Sequence, residues 1–121
     1  MKHDFRIIHW GGEHHRHECN RCGTQIIEYL ERAIRNGYSN KRYEYALNSE
    51  CPGAKIIMQR MKNQRPPKDV PLRIRCFAVD GGIEFLDAIY TSGPGGVHWF
   101  EKLPGHSAII PRNVTHWAIT E

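Results

Sequence analysis

The chain contains no apolar run approaching the roughly 18 residues that a membrane span requires, and its opening, MKHDFRIIHWGG, lacks the apolar core of a secretory signal. The expectation is therefore a soluble cytoplasmic protein with no membrane partner. There is no internal repeat and no low-complexity tract, so a solenoid or a disordered tail is not expected. Neither H-E-x-x-H nor the paired H-x-E and P-C-x-x-C pattern of the zinc deaminases occurs, which removes two compact signatures of zinc hydrolysis.

What is present is a chain of 121 residues with 40% apolar and 25% charged side chains, enough for one modest core. The formal charge of +4 is unevenly spread. Residues 31–75 carry eleven basic and four acidic side chains, whereas residues 76–121 carry two basic and five acidic. Eight histidines and four cysteines are the other departure from average composition, and five of the histidines fall within the first 17 residues. The two anomalies point to a metal site and to an acidic or nucleic-acid partner.

Period two in Phe5, Ile7 and His9 predicts a short strand, broken by Gly11-Gly12. After Gly23, apolar residues Ile26, Ile27, Leu30, Ala33 and Ile34 recur at helical spacing. With Thr24 as N-cap and Asn36-Gly37 as stop, they predict a helix over about 25–35, with Glu28 and Arg32 paired on its wet side. Residues 38–50 hold to no sustained period. Pro52 suits the first position of a second short helix reaching to about residue 62 through Ile56, Ile57 and Met61. Beyond the prolines at 66 and 67 the period returns to two: Leu72, Ile74, Cys76 and Ala78 on one side, a turn at Asp80-Gly81-Gly82, and a return strand from Ile83 to Tyr90. A glycine-rich loop over 91–96 and further strands near 97–101, 107–110 and 114–119 complete the pattern. The predicted fold is α+β and a single domain over 1–121. A zinc-stapled, helical, basic N-terminal half (1–65) packs on a small C-terminal antiparallel β meander (70–121).

Cys19-Asn20-Arg21-Cys22-Gly23 has the form C-x-x-C-G, in which a tight turn points two sulfurs at one tetrahedral ion and the glycine lets backbone amides approach them. Cys51 lies at a predicted helix start, and His14 and His17 lie just upstream. The preferred zinc ligands are Cys19, Cys22, Cys51 and one of His14 or His17; the set His14, His17, Cys19 and Cys22 is the alternative. Cys76 reads as a core residue. A catalytic zinc would need a base, for which Glu13 and Glu18 are available, giving a metal-dependent hydrolase or nuclease as the rival function. His98, Glu101 and His116 also permit a cupin-like metal enzyme.

Arg32, Arg35, Lys41, Arg42 and Arg60, with tyrosines interleaved, can neutralise phosphates while the rings stack on bases. They are the candidate contacts to nucleic acid or to a host nucleoprotein complex. At the C-terminus, the aromatic strand containing Trp99 and the ending Asn113-Val114-Thr115-His116-Trp117 resemble a small prophage family of unknown function, whose members close with V-T-H-W followed by M-P-L-P. The resemblance covers about the last 50 residues. It implies provenance, a phage or mobile-element protein expressed inside a bacterium, and no activity; the expected function is that of a small phage-type accessory protein, with inhibition of a host defence as one form of it. Nothing in the sequence fixes the oligomeric state.

Overall fold

The computed structural model describes residues 1–78, 80–103, 106–109 and 113–120. They form two compact units, residues 1–56 and 57–121. Both are built mainly from antiparallel strands.

In the first unit, β1 (Phe5–Trp10), β2 (His14–Cys19) and β3 (Gln25–Tyr29) form a sheet in the order β1-β2-β3. Gly11 permits the tight β1–β2 connection: its N–H donates to the His14 carbonyl at 2.9 Å, and a Cβ there would stand 2.5 Å from that oxygen. A register shift between Ile7 and His9 interrupts the otherwise regular ladder. Two short helices come next in the chain, α1 (Glu31–Arg35) and α2 (Lys41–Asn48), and both pack against β3.

The helical N-terminal half expected from the sequence is thereby overturned. Residues 25–29 are a strand, because consecutive β-branched Ile26 and Ile27 suit the pleat and each is buried on a different face of β3. Thr24 precedes that strand instead of capping a helix. Glu28 pairs across the sheet with histidines, not with Arg32. The stop at Asn36-Gly37 does end α1, with Gly37 at φ 101°. The stretch of unclear period, 38–50, contains the longer helix. Lys41 to Asn48 holds no β-branched residue, glycine or proline. Its ends are tied by Asn40, whose carbonyl accepts from Glu44, and by Ser49, whose hydroxyl donates to the Tyr45 carbonyl. Asn40 also fixes α2 to the sheet: its side-chain amide accepts from the Tyr29 N–H at 2.7 Å and donates to the Tyr29 carbonyl at 2.9 Å, as a neighbouring strand would. No helix begins at Pro52, because Gly53 takes φ 81° and bends the chain into a turn.

The second unit is a six-stranded sheet in the order β4-β9-β5-β6-β7-β8, from β4 (Gln59–Arg60), β5 (Pro71–Phe77), β6 (Ile83–Gly93), β7 (Gly96–Leu103), β8 (His106–Ile109) and β9 (Val114–Ile119). The period-two expectation holds here: Leu72, Ile74 and Cys76 are fully buried, and across the register they meet Ala88, Leu86 and Glu84 on β6. Arg73, on the alternate face, is anchored by Asp87 directly opposite at 2.6 Å. Trp117 is buried on β9 and donates its indole N–H to the Gln64 carbonyl at 2.9 Å. The segment 91–96, expected as a loop, instead continues β6 and β7 to a hairpin at Pro94-Gly95, where Gly95 has φ 83°. No helix among the described residues is long and apolar enough to cross a membrane.

Candidate metal centre

Cys19 ends β2, and the chain then reverses through Asn20 and Arg21 to Cys22. The reversal is closed by the Gly23 N–H to the Cys19 carbonyl at 3.0 Å and by the Cys19 N–H to the Thr24 carbonyl at 2.9 Å. Gly23 sits at φ 80°, a conformation that glycine adopts without strain. The turn aims backbone amides at sulfur: Asp4 and Arg21 each donate an N–H to Cys19 Sγ at 3.4 Å. Cys51-Pro52-Gly53 repeats the device in shorter form, with the Gly53 N–H 3.4 Å from Cys51 Sγ.

The N-terminal segment ties the two turns together. The Met1 carbonyl accepts from the Cys51 N–H at 2.7 Å and the Asp4 carbonyl accepts from Asn20 at 2.8 Å. Between them, His3 is carried onto the cysteines. Its Nδ1 stands 3.4 Å from Cys22 Sγ, and Cys19 Sγ and Cys51 Sγ stand 3.8 Å apart. His3, Cys19, Cys22 and Cys51 lie within metal-binding distance of one another, all ligand atoms within 4.8 Å.

The separations are those of a shared tetrahedral ion. Two sulfurs each about 2.3 Å from one tetrahedral ion stand about 3.8 Å apart, and a sulfur and an imidazole nitrogen about 3.6 Å apart. A disulfide would need about 2.05 Å, and all four cysteines of the chain are free thiols. The three clustered cysteines are 2%, 3% and 4% exposed, and Phe5 and Ile56 pack against them. The His3 ring stacks on Phe5 at 5.1 Å.

Burial alone would push the Cys19 thiol up, but the backbone N–H donors directed at it outweigh burial and hold it below its ordinary value. Cys22 is pushed up, first by burial and then by its closeness to Cys19, against the opposing side-chain and backbone hydrogen bonds it shares with Thr24. A cation among the sulfurs would relieve that conflict, because it is the uncompensated second thiolate that is disfavoured.

Of the ligands expected from the sequence, Cys19, Cys22 and Cys51 are brought together and the histidines are not. His14 packs its ring against Tyr29 at 6.4 Å and His9 at 6.1 Å. His17 Nε2 meets Glu28 Oε1 at 2.9 Å. His3, which sequence reasoning passed over, takes the fourth place. The signal for it lay in strand pairing: Phe5 is opposite Cys19, so the residues just before β1 run past the C-x-x-C turn. Cys76 is fully buried in the second unit, as a core residue should be.

Of the bases considered for a hydrolase, Glu18 is held by hydrogen bonds and Glu13 makes a long, exposed ion pair. The Glu18 carboxylate accepts from Arg6 at 3.2 Å and from Gln25 at 3.1 Å, while Glu13 faces Arg32 at 3.9 Å. The cupin-like set does not assemble: β7, which carries His98 and Glu101, is separated from β9 and His116 by β6 and β5. At about 4.8 Å per strand the gap is about 14 Å.

Among the basic candidates, Arg32 and Arg35 have side chains 76% and 71% exposed, each near a glutamate only at 3.9 Å. Lys41 is exposed and Arg42 half-buried on α2. Arg60 belongs to β4 in the second unit, so the basic middle of the sequence is divided between the two units. No protein-family profile, curated protein or solved structure matches the chain.

Proposed function

We propose that this chain is a small binding protein of phage-accessory type, whose first unit is fixed by a structural zinc ion on Cys19, Cys22, Cys51 and His3. Its exposed arginines engage nucleic acid or a host nucleoprotein complex. The observation that carries the zinc assignment is the convergence of three buried sulfurs and one imidazole nitrogen at tetrahedral spacings. Three thiolates and a histidine suit zinc by softness and geometry. With four protein donors the ion has no open position, so it holds the fold together.

The partner surface rests on α1 and the turn that ends it. Arg32 and Arg35 project from that helix into solvent, and Tyr38, 47% exposed, stacks on Tyr29 at 4.9 Å. Cations beside an accessible ring offer phosphate neutralisation and base stacking together. The phage-accessory part of the proposal rests on the expected C-terminal resemblance to a prophage family, which bears on provenance and not on the partner.

Two measurements on the full chain test the proposal. Metal analysis of the purified protein should find zinc, and Cys19→Ser should remove it. Absence of zinc, or zinc unaffected by the substitution, would falsify the assignment. Binding to single-stranded DNA and RNA should weaken steeply between low and physiological salt and be lost in the Arg32→Glu/Arg35→Glu double variant without loss of folding. Affinity that is flat with salt sinks the phosphate-contact reading.

A further inference from the structure

The first unit holds a second group of metal-ligating side chains that the thiolate cluster does not use. His15 and His17 are two residues apart on β2, so both rings leave the same face of the sheet, and Glu28 of β3 is paired directly opposite His15. Glu28 Oε1 is 2.9 Å from His17 Nε2 and 3.8 Å from His15 Nδ1. One ligand atom from each of the three lies within 4.8 Å of the others. The side chains of His17, His15 and Glu28 are 8%, 17% and 31% exposed, so the group is sheltered at His17 and reaches solvent at Glu28. Tyr43 of α2 closes it on one side with its ring 4.9 Å from that of His17, and Trp10 meets His15 edge-on at 4.6 Å.

We propose that His15, His17 and Glu28 form a second metal site, taking a divalent first-row transition ion through two imidazole nitrogens and one carboxylate oxygen, with coordination positions left open to water. Two donors about 2.0–2.1 Å from one ion stand about 2.9 Å apart at a right angle and about 3.8 Å apart near 135°. The 2.9 Å separation is the chord of a right angle and the 3.8 Å one that of a wide, irregular angle, so one ion can span both. A hydrogen bond would account for His17 and Glu28 alone. His15, at 3.8 Å from Glu28, is too far for one and meets Trp10 and the carboxylate's charge instead, whereas a shared ion uses all three groups. Nitrogen and oxygen donors with open positions contrast with the closed thiolate set. Such a donor set accommodates exchangeable ions and, through the open positions, water or an oxyanion. His15, His17 and Cys19 succeed one another along one face of β2. The triad shares no ligand with the thiolate cluster but stands on β2 and β3 of the same unit, so the thiolate step is expected to fill first.

Titration of the full chain, stripped of metal and refilled with Co2+, separates the two sites, because cobalt bound by thiolate gives an intense near-ultraviolet charge-transfer band and cobalt bound by nitrogen and oxygen does not. The expected result is two filling steps, one with the band and one without it. Glu28→Gln keeps the shape and the hydrogen bond to His17 but loses the anionic donor. His15→Ala removes an imidazole that makes no hydrogen bond to Glu28. Each should abolish the bandless step and leave the banded one unchanged, and each serves as the check if the other fails to fold. A wild-type chain with only the banded step, or a bandless step that survives both substitutions, overturns the proposal. Loss of the band with the bandless step intact would count against the thiolate cluster alone.

Discussion

The two units solve the same problem of stability with different chemistry. In the second, buried Leu72, Ile74, Leu86, Ala88, Trp99 and Trp117 are spread over four strands of one sheet, so its core is a mainly apolar layer, with Glu84 and Glu101 buried among those residues, that strand pairing assembles. The first unit has only Ile26, Ile27, Ala33 and Ala46 buried among its non-sulfur apolar residues, while Ile8, Trp10, Ile34 and Leu47 are exposed. Its other buried residues are Cys19, Cys22 and Cys51 with the polar side chains Arg16, His17 and Thr24. A three-stranded sheet with two short helices is near the lower limit of what hydrophobic burial can hold, and small folds of that kind depend on staples. Metal removal and core truncation should therefore act on different halves of the chain.

The largest effect should come from attacking the thiolates. A structural zinc contributes on the order of 10–16 kcal/mol of binding free energy that only the folded state collects. Chelation should therefore strip amide protection from residues 1–56 while strands β5, β6, β7 and β9 keep theirs, measured by hydrogen exchange with mass spectrometric detection. Uniform loss across both units would show that the first unit does not depend on the ion separately. The complementary substitution is Ile74→Ala. Ile74 is fully buried between Leu86 and Trp117 in the register, so truncation should cost about 2–5 kcal/mol in the second unit. Thermal unfolding monitored alongside metal content checks it, and the prediction fails if zinc is lost with the core.

The same difference governs how much could be read without coordinates. In β5 and β6 one face is the core, so apolar and polar residues alternate and the strands declare themselves at Leu72, Ile74 and Cys76. β3 is buried on both faces, and that erases the alternation. Ile26 and Ile27, run on into Leu30, Ala33 and Ile34 of the next helix, then imitate a single helix of period 3.6. Cys19 and Cys22 were legible because C-x-x-C-G is a local turn set within five residues, whereas the case for Cys51 rests on a helix start that the structure replaces with a turn at Gly53. His3 was not, because its place depends on the register of β1 against β2 and on backbone contacts of the N-terminus to residues near 20 and 51. The triad of His15, His17 and Glu28 needed the pairing of β2 with β3, and reading Glu28 on a helix hid it.

The smallest expected effect separates the two units through pH. His116 on β9 lies with its Nδ1 3.3 Å from an Arg75 nitrogen and 2.9 Å from the Thr115 hydroxyl. Burial first, then the charges of Arg75 and Arg60, lower its pKa from the ordinary 6.5. The folded state thus favours the neutral ring, and the unfolded chain binds the proton at a higher pH. By linkage, stability of the second unit is fully present above about pH 6.5 and declines as pH falls from there towards the depressed folded value. The shift is modest and the residue only partly buried, so the decline should be shallow. Acid loss in the first unit should instead be steep, because protons compete with the ion for three thiolates and an imidazole at once. Histidine NMR titration should place the His116 midpoint below 6.5, and Arg60→Ala should raise it by removing one of the two cations. A midpoint at or above 6.5 would contradict the arrangement around Arg75. Equal steepness of acid unfolding in both units would mean that the apolar layer and the metal cluster are not separate sources of stability.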